Sequence, residues 1–404
     1  MKQIINHFTD NDLYTFTCMY YILQKYPRAE TEYRFFDRNR TCYPKGFDLL
    51  LREQLEHLAE VVITDEEREF MTRSFPFLPY WFINVFLRGF RFNPAELTIS
   101  QDEEGHLDIR VKGKWWSTII WEMPILATIS ELMHTLNGDT MKYDAEAEWE
   151  KSLQKGRQIW TNGLTLGDMG TRRRFTFNHQ EMVIDALIQS YAEVCKETGG
   201  HCGKFTGTSN VYFAMKKNIP CLGTMSHQCI SFEEIVSGVF ECNYNVMNKW
   251  SEVYDGNVGI FLYDCFGDRV FFNNLSKRMA MTFCGLRIDS GVEEEQVDMI
   301  VEKYKQLGID PMSKQAVFSN GLDIKRAVEI HRYCQGKITD SYGVGTFLTC
   351  DVTDCSPMNI VVKLVRGRIT ESREWHPCVK LSCDKGKTLG DAKKCEYLVS
   401  VLNE

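Results

Sequence analysis

The sequence lacks the long apolar run that a membrane-spanning helix requires. Its longest apolar stretch, residues 118–133, is interrupted by Glu122 and Glu131, whereas a span needs about 20 predominantly apolar residues. The first six residues, Met-Lys-Gln-Ile-Ile-Asn, also lack the apolar core of a secretion signal. We therefore expect a cytoplasmic protein with no membrane partner.

The chain also lacks an excess of positive charge. Its 47 lysines and arginines are outnumbered by 55 aspartates and glutamates, and the net charge is −8. This balance offers no electrostatic footprint for nucleic acid, so no nucleic-acid partner is expected. With 404 residues, 44% of them hydrophobic, the length suits two or three globular domains, or one large barrel with an appended domain.

The cysteines lack the spacing of a common zinc motif. There are fifteen, and none forms a Cys-x-x-Cys pair. In a chain without a secretion signal, such cysteines are typical of reduced thiols. We therefore expect free thiols, neither metal ligands nor disulfides.

The first third of the chain mixes helices with antiparallel strands. Thr9 or Asp10 is placed to cap a helix that Pro27 ends. Residues 31–36 alternate like a strand, and residues 96–113 have the pattern of a hairpin. The last fifty residues return to strands, which we expect to pair with this N-terminal sheet.

From about residue 125 the pattern changes to strands that alternate with helices. Apolar strands end near residues 264, 289, 319 and 343, at intervals of one βα unit. Two further strand ends are predicted in the stretch 203–228, on either side of a short helix over residues 211–217. The predicted fold class is α/β. An irregular, TIM-like α/β barrel (residues 125–350) stands beside an α/β sandwich built from residues 1–124 and the tail 351–404.

In a barrel, the residues that follow the strands meet at one face. There, glycine-containing loops can bind phosphate through backbone N–H groups, and basic residues beside two acids suit a phosphate-bearing substrate with a divalent cation. The Arg-Arg-Arg run at 172–174 fits either a solvated surface turn or an anion site. A Ser-His-Asp nucleophile is disfavoured because no Gly-x-Ser-x-Gly turn is present. The candidate residues at this face are Arg172, Arg173, Ser209, Thr224, His227, Asp264, Arg287, Asp289, Ser319, Asn320, Gly321, Gly343, Gly345 and Thr346.

At these residues the sequence resembles the nicotinate phosphoribosyltransferases, the type II phosphoribosyltransferase family, in their long bacterial form. The resemblance rests on stretches spread over nearly the whole chain. They include 170–175 (Gly-Thr-Arg-Arg-Arg-Phe), 207–210 (Gly-Thr-Ser-Asn), 223–227 (Gly-Thr-Met-Ser-His) and 287–291 (Arg-Ile-Asp-Ser-Gly), with further matches at 75–78, 107–110, 121–124, 129–132, 307–311 and 357–364.

The resemblance implies a reaction in NAD biosynthesis. Nicotinate displaces pyrophosphate from 5-phosphoribosyl 1-pyrophosphate to give nicotinate mononucleotide, with ATP hydrolysis coupled to turnover and Mg²⁺ as cofactor. The implied partners are therefore nicotinate, 5-phosphoribosyl 1-pyrophosphate and ATP, and the chain acts as a monomer or a homodimer.

The resemblance also implies residue roles. His227 is the histidine that ATP phosphorylates, and an imidazole pKa near neutrality would supply its nucleophilic nitrogen. Asp289 lies beside the reacting ring and ribose, and we place the divalent cation at Asp264. The nicotinate contacts are Tyr14, Met169, Ser209, Thr224 and Arg287. The phosphoribosyl and phosphate contacts are Arg172, Ser319, Asn320, Gly321, Gly345 and Thr346.

Ser209 bears on the choice of substrate. The related nicotinamide enzymes carry an aspartate at about this position, which accepts from an amide but repels a carboxylate, so serine favours nicotinate. The sequence departs from the family pattern at four other positions: Met169 replaces a common phenylalanine, Gln228 a glutamate, Val292 an aspartate and Asn320 a frequent aspartate.

Three alternatives stay open at this point. The first is the same fold acting on nicotinamide. The second is a non-catalytic relative that binds metabolites, which the four departures motivate. The third is a sugar-phosphate lyase barrel, which explains the phosphate loops but neither Tyr14 nor the arginine run.

Overall fold

The computed structural model describes residues 2–382, 388 and 390–403. Its strands are β1 (Glu30–Asp37), β2 (Leu97–Gln101), β3 (Leu107–Lys114), β4 (Thr165–Asp168), β5 (Lys204–Thr208), β6 (Ile260–Leu262), β7 (Gly285–Ile288), β8 (Gln315–Phe318), β9 (Thr339–Val344), β10 (Ile360–Arg368) and β11 (His376–Pro377). No helix in this described part of the chain is both long and apolar enough to cross a membrane.

The helices are α1 (Leu13–Lys25), α2 (Phe47–Glu56), α3 (Asp65–Ser74), α4 (Trp115–Thr118), α5 (Glu122–Leu136), α6 (Ala145–Thr161), α7 (Phe177–Glu197), α8 (Val211–Lys217), α9 (His227–Ser237), α10 (Cys242–Tyr254), α11 (Asp268–Asn274), α12 (Lys277–Thr282), α13 (Glu293–Gln306), α14 (Ile324–Cys334), α15 (Thr346–Thr349) and α16 (Ala392–Asn403). Short 3-10 turns are His57–Glu60, Pro94–Glu96, Ile119–Trp121, Asp139–Met141, Thr171–Arg173 and Pro311–Ser313, and Phe82–Leu87 forms a π turn.

One sheet is antiparallel and joins the two ends of the chain. Its order is β11-β10-β1-β3-β2, and Tyr33 of β1 pairs with Val111 on one side and Leu364 on the other. The burial of β2 alternates residue by residue, as expected of a sheet with one face on the core. The prediction that the C-terminal tail returns to the N-terminal sheet is confirmed.

The other sheet is parallel, in the order β5-β4-β9-β8-β7-β6. Helices α13 and α14 connect β7 to β8 and β8 to β9, as the predicted βα units require. This barrel sheet beside the antiparallel sheet confirms the predicted fold class. The exact division at residues 124 and 350 stays a prediction.

One predicted strand is wrong. The stretch that leads to Gly223 forms no strand, and it touches β5 through a single parallel bridge between Thr208 and Cys221. The reason is the approach of α1, because a Cβ on Gly223 would lie 2.9 Å from both the Leu13 Cβ and the Tyr14 nitrogen. The start of α1 thus packs directly on the backbone at Gly223.

Two smaller expectations also fail. Helix α1 begins at Leu13 after Asp12, not after Thr9 or Asp10, because Thr9 donates its hydroxyl to Glu67 at 2.6 Å and Asp10 binds Arg174. The expectation that every cysteine is a free thiol is wrong for one pair. Cys195 and Cys202 form a disulfide between α7 and β5, with their Cα atoms 5.7 Å apart.

Candidate active site

His227 lies in a cluster of charges at the mouth of the barrel. It is the first residue of α9, and its side chain is 12% exposed. Its Nε2 atom lies 2.8 Å from Asp264 Oδ1 and 2.9 Å from the Lys380 ammonium. An ionised carboxylate only accepts and an ammonium only donates, so Nε2 can hydrogen-bond to one of these two partners. We assign the proton to Nε2, which then donates to Asp264 while Lys380 acts through its charge alone, and this leaves the Nδ1 lone pair for chemistry.

This environment sets the protonation state of the imidazole. Burial, and then the positive charge of Lys380, lower the pKa of His227 to about 4. Burial would raise the pKa of Asp264, but the imidazole and Lys380 outweigh it and bring that pKa below its usual range. The expected imidazole pKa near neutrality is therefore corrected, because His227 is neutral well below pH 7.

Asp289 joins the ends of two neighbouring strands. Its Oδ1 accepts from the Ser319 hydroxyl at 2.8 Å, and its Oδ2 lies 3.9 Å from His227 Nε2 and 3.8 Å from Lys380 Nζ. Burial acts to raise its pKa, yet Lys380 and Arg287 lower it to about 2. Asp289 is therefore an ionised carboxylate at the centre of the barrel mouth.

A second group of side chains comes from α1, α5 and the end of β5. Tyr14 donates its hydroxyl to Glu122 at 2.8 Å, and Ser209 donates to Asp12 at 2.7 Å. The Arg172 guanidinium lies 3.7 Å from Glu122 and 5.9 Å from the centre of the Tyr14 ring. The structure thus brings together three of the predicted contacts with nicotinate and sugar-phosphate.

Two buried polar atoms nearby have no hydrogen-bond partner within the described part of the chain. They are the Thr224 hydroxyl and the Nε of Arg287, whose Nη1 donates to the Met225 carbonyl at 3.3 Å. Buried polar groups are rarely left unpaired, because losing their hydrogen bonds to water costs about 1–3 kcal/mol. Both atoms therefore fit a polar ligand bound here.

The arginine run divides into two functions. Arg174 is fully buried and binds both oxygens of Asp10 at 2.7 and 2.8 Å, which is a structural ion pair. Arg173 makes no hydrogen bond or ion pair within residues 2–382, and burial, with the positive charges of Arg172 and Arg38, lowers its pKa to about 10. A half-buried guanidinium at Arg173 without an acidic partner favours the anion site over the solvated turn.

The remaining predicted loops lie beside these groups. Gly321 follows β8 with φ at 59°, in the left-handed region, and Asp323 caps α14 by accepting from the Arg326 nitrogen at 2.7 Å. One N–H group of that helix is therefore unavailable to a phosphate. After β9, Thr346 begins α15, which is only one turn long.

Met169 packs on the backbone of β9. A Cβ on Gly343 would lie 2.3 Å from the Met169 sulfur, and a Cβ on Gly345 would lie 2.8 Å from its carbonyl oxygen. These two glycines therefore make room for Met169. The contact holds the chain after β4 against the loop after β9.

Gln228, one of the departures from the family pattern, does not contact His227. Its side-chain oxygen accepts from the Tyr33 hydroxyl and, at 3.5 Å, from the Trp115 indole. It therefore ties α9 to the antiparallel sheet and leaves the orientation of His227 to Asp264 and Lys380.

Four residues of this site were not predicted from the sequence: Asp12, Glu122, Lys363 and Lys380. Lys363 is on β10, and burial lowers its pKa to about 8 even though the nearby Glu122 opposes the shift. Glu122 and Lys363 fall inside stretches that carry the family resemblance, so that signal could have found them. Lys380 had no such signal, and the C-terminal tail thus adds cations that the barrel loops alone do not supply.

The residues at the barrel mouth also fit a divalent cation. One ligand atom each from His227, Asp264 and Asp289 lies within 4.8 Å of the others. Two carboxylates are the ligands that Mg²⁺ prefers alongside substrate phosphates, although Lys380 already lies 3.4 Å from Asp264. A cation here would share the two carboxylates with that ammonium.

The fold and the site together define an enzyme class. A parallel α/β barrel whose mouth joins arginines, one of them without an acidic partner, to an ionised aspartate and a neutral histidine suits an anionic, phosphate-bearing substrate. The family comparisons narrow this class. Residues 164–404 match the model of the nicotinate phosphoribosyltransferase (NAPRTase) family, and residues 9–130 match that of its N-terminal domain.

Individual relatives agree over nearly the full length. The chain is 36% identical to a nicotinate phosphoribosyltransferase of Desulforapulum autotrophicum, with 99% of each chain covered, and 35% identical to one of Methanosarcina mazei, with 96% of each covered. The crystal structure of a nicotinate phosphoribosyltransferase from Porphyromonas gingivalis superposes with a TM-score of 0.94 at 39% identity, over 99% of this chain and 100% of that one. The chain belongs to the nicotinate phosphoribosyltransferase family.

Proposed function

We propose that this chain transfers the phosphoribosyl group of 5-phosphoribosyl 1-pyrophosphate to nicotinate, releasing pyrophosphate and forming nicotinate mononucleotide for NAD biosynthesis. The observation that carries the proposal is the half-buried Arg287, whose Nε is buried with no partner within the described residues. Its Nη1 donates to the carbonyl of Met225, next to Thr224, and its charge acts on Asp289. A planar guanidinium held in this way suits a carboxylate. We therefore assign the acid group of nicotinate to the end of β7.

The substrate carboxylate needs the arginines because the site already holds negative charge. Ser209 alone does not remove that charge, since Asp12 lies one hydrogen bond behind it. The carboxylate of Asp12 is the observation that favours nicotinamide as a second candidate substrate, because an aspartate accepts a hydrogen bond from an amide NH₂. Selectivity for the acid therefore has to come from the charges of Arg287 and Arg172.

The ionised Asp289 supplies the electrostatics of glycosyl transfer. Cleavage of the bond between ribose and pyrophosphate builds positive charge on the sugar, and a fixed carboxylate stabilises that charge. Ser319 holds one oxygen of Asp289, so the carboxylate is oriented before substrate binds. Arg172 and Arg173 provide the positive charge for the phosphates, beside the loops at Ser319–Gly321 and at Gly345 and Thr346.

We place the coupling to ATP at His227. The neutral Nδ1 attacks the γ-phosphorus of ATP, a P–N bond forms, and the bond to the leaving ADP oxygen breaks. The Nε2 proton stays on the hydrogen bond to Asp264, which stabilises the charge that develops on the ring. Lys380 and the N-terminus of α9 offset the negative charge of the phosphoryl group.

Mg²⁺ is the proposed cofactor, held by Asp264 and Asp289, and when bound it would neutralise polyphosphate charge. Asp264 also orients His227, because its Oδ1 faces the imidazole and its Oδ2 accepts from Ser290 at 2.6 Å.

We further propose that the protein functions as a monomer or a homodimer.

Replacing Arg287 with alanine tests the carboxylate assignment. A charge-assisted hydrogen bond contributes about 1.5–3 kcal/mol, so KM for nicotinate should rise roughly 10- to 100-fold while KM for 5-phosphoribosyl 1-pyrophosphate changes little. Arg278→Ala is the control, because that exposed arginine on α12 contacts Asn248 and Tyr244 and lies outside the proposed site. An unchanged KM for nicotinate would show that Arg287 does not bind the acid.

Replacing Lys380 with methionine tests how the pKa of His227 is set. In the wild type that pKa is about 4, so phosphorylation should be flat between about pH 6 and 8 and decline only in stronger acid. Without Lys380, Asp264 favours the imidazolium and the pKa of His227 rises. The loss of rate with falling pH should therefore begin at higher pH.

The rate of phosphoprotein formation in a single turnover, measured across this pH range, gives the profile. Lys394→Met is the matched control, since that lysine lies on the same C-terminal tail but pairs with Glu234. If the Lys380→Met profile superimposes on the wild-type profile, Lys380 does not control the imidazole.

A further inference from the structure

A second cluster of metal-binding side chains lies away from the barrel mouth. It consists of His134 near the end of α5, Asp139 at the start of the turn Asp139–Met141, and Cys350 and Cys355 beyond α15. One ligand atom each from His134, Asp139 and Cys355 lies within 4.8 Å of the others. His134 Nδ1 lies 2.8 Å from Asp139 Oδ2, and its Nε2 lies 3.4 Å from the Cys350 sulfur.

We propose that this cluster is a Zn²⁺ site, with His134 Nδ1, Asp139 and Cys355 as protein ligands. Imidazole, carboxylate and thiolate are the three ligand types that Zn²⁺ accepts, and a three-ligand site leaves a fourth position for water. The cysteine thiolate favours Zn²⁺ over Mg²⁺ and Ca²⁺, because those two ions take oxygen ligands. The site thereby differs from the cluster at His227, which contains no sulfur.

Cys350 completes the arrangement from behind. Metal-bound histidines usually donate their other ring N–H to an acceptor, which fixes the tautomer and the ring orientation. Cys350 is fully buried, and its sulfur contacts the Nε2 of His134. Nε2 therefore has a hydrogen-bond partner of its own, and Nδ1 is left to bind the metal. The Phe175 ring, 4.8 Å from the imidazole between ring centres, encloses the same side.

Cations on the neighbouring helix do not take the place of the metal. Lys151 and Lys155 of α6 both lie near Asp351, at 3.5 and 2.5 Å. Asp351, which lies between Cys350 and Cys355 in the sequence, thus forms ion pairs with both lysines. Among the described residues, neither lysine forms an ion pair with Asp139, whose carboxylate contacts His134.

The position of the site gives it a structural effect. A metal here would join α5 to the segment that follows Gly345 and Thr346, and Phe175 continues directly from the arginine run at 172–174. The loop at Gly345 and Thr346 and the arginine run are both proposed phosphate-binding segments. The metal would therefore stabilise the backbone next to the proposed phosphate site. The Zn²⁺ proposal itself stands on the ligand cluster and does not depend on the reaction.

Cobalt substitution of the full-length protein tests the site. Protein that has been reduced and stripped with a chelator is titrated with Co²⁺ alone, and a thiolate-to-cobalt charge-transfer band in the near ultraviolet should saturate at one equivalent per chain. The band should be lost in Cys355→Ser. It should persist in Cys395→Ser, a half-buried thiol on α16 that lies outside the cluster.

Two further measurements protect against a misfolded variant. Cys350→Ser should keep the band but bind Co²⁺ roughly 10- to 100-fold more weakly, as loss of a supporting hydrogen bond does in other metal sites. Zn²⁺ should raise the thermal unfolding midpoint of the wild type and leave that of Asp139→Asn unchanged. Absence of the band in the wild type, or an equal band in Cys355→Ser, overturns the proposal and leaves a hydrogen-bonded histidine–aspartate pair beside two free thiols.

Discussion

Replacing His227 with asparagine is expected to abolish transfer of the γ-phosphate from ATP to the protein and with it all ATP stimulation of product formation. Asparagine retains an N–H donor for Asp264 but has no nucleophilic nitrogen. The rate of phosphorylation should therefore fall by at least ~10³-fold, the order of loss seen when an enzyme loses its nucleophile. Acid-labile, base-stable phosphate on the intact protein is the quantity to measure.

Arg287→Ala serves as the reference for this variant. It alters the proposed nicotinate contact and leaves the His227–Asp264 pair in place, so it should still be phosphorylated by ATP. An equal amount of base-stable phosphate on the His227→Asn protein would exclude His227 as the acceptor.

Replacing Asp10 with alanine should give the largest loss of stability. Asp10 and Arg174 are both fully buried, and Arg174 binds the carboxylate with two hydrogen bonds. Removing the acid leaves the buried guanidinium with only longer contacts, to Glu131 at 3.9 Å and to Gln180 at 3.4 Å. Breaking a buried ion pair in this way costs about 3–5 kcal/mol. Because Arg174 ends the arginine run, the proposed phosphate site should also weaken.

Urea unfolding followed by tryptophan fluorescence measures this cost. Asp65→Ala is the matched control, since Asp65 pairs with Arg68 at a position that leaves its side chain 86% exposed, and exposed pairs contribute at most about 1 kcal/mol. A loss for Asp10→Ala no larger than that of the control would show that the buried pair is not important for the fold.

Local signals predicted the elements whose ends depend on nearby residues. Helix α8 was predicted over residues 211–217 and is observed there, because Asn210 caps it by accepting from the Phe213 nitrogen at 3.1 Å. The cap predicted for α1 failed for the opposite reason. Thr9 and Asp10 are good capping residues, but each satisfies a partner far away in the sequence, Glu67 and Arg174.

The same distinction holds at the site. His227, Arg287 and Asp289 were found because they follow strands or match family motifs, whereas Lys380 reaches His227 from 153 positions further along the chain. Nothing in its local sequence marks it as part of the site. The predicted imidazole pKa was too high for the same reason. Burial and the charge of Lys380 lower the pKa of His227, and both depend on the tertiary fold.

The stretch 203–228 shows both outcomes. It was expected to contain two strand ends, and the structure has one, at β5. The second half is an irregular segment pressed against α1 that nonetheless brings Thr224 and His227 to the barrel mouth. The pattern of hydroxyl-bearing residues after an apolar run therefore predicted the position of the site correctly. It did not predict the irregular backbone conformation of the second half.

A steady-state assay of the purified protein tests the proposed reaction most directly. It uses 5-phosphoribosyl 1-pyrophosphate and Mg²⁺ with nicotinate or nicotinamide, each with and without ATP. We expect nicotinate mononucleotide to form, ATP to accelerate its formation, and kcat/KM for nicotinamide to be at least ~10²-fold lower. Equal or preferred use of nicotinamide, or tight binding of nicotinate without product, would contradict the proposed function.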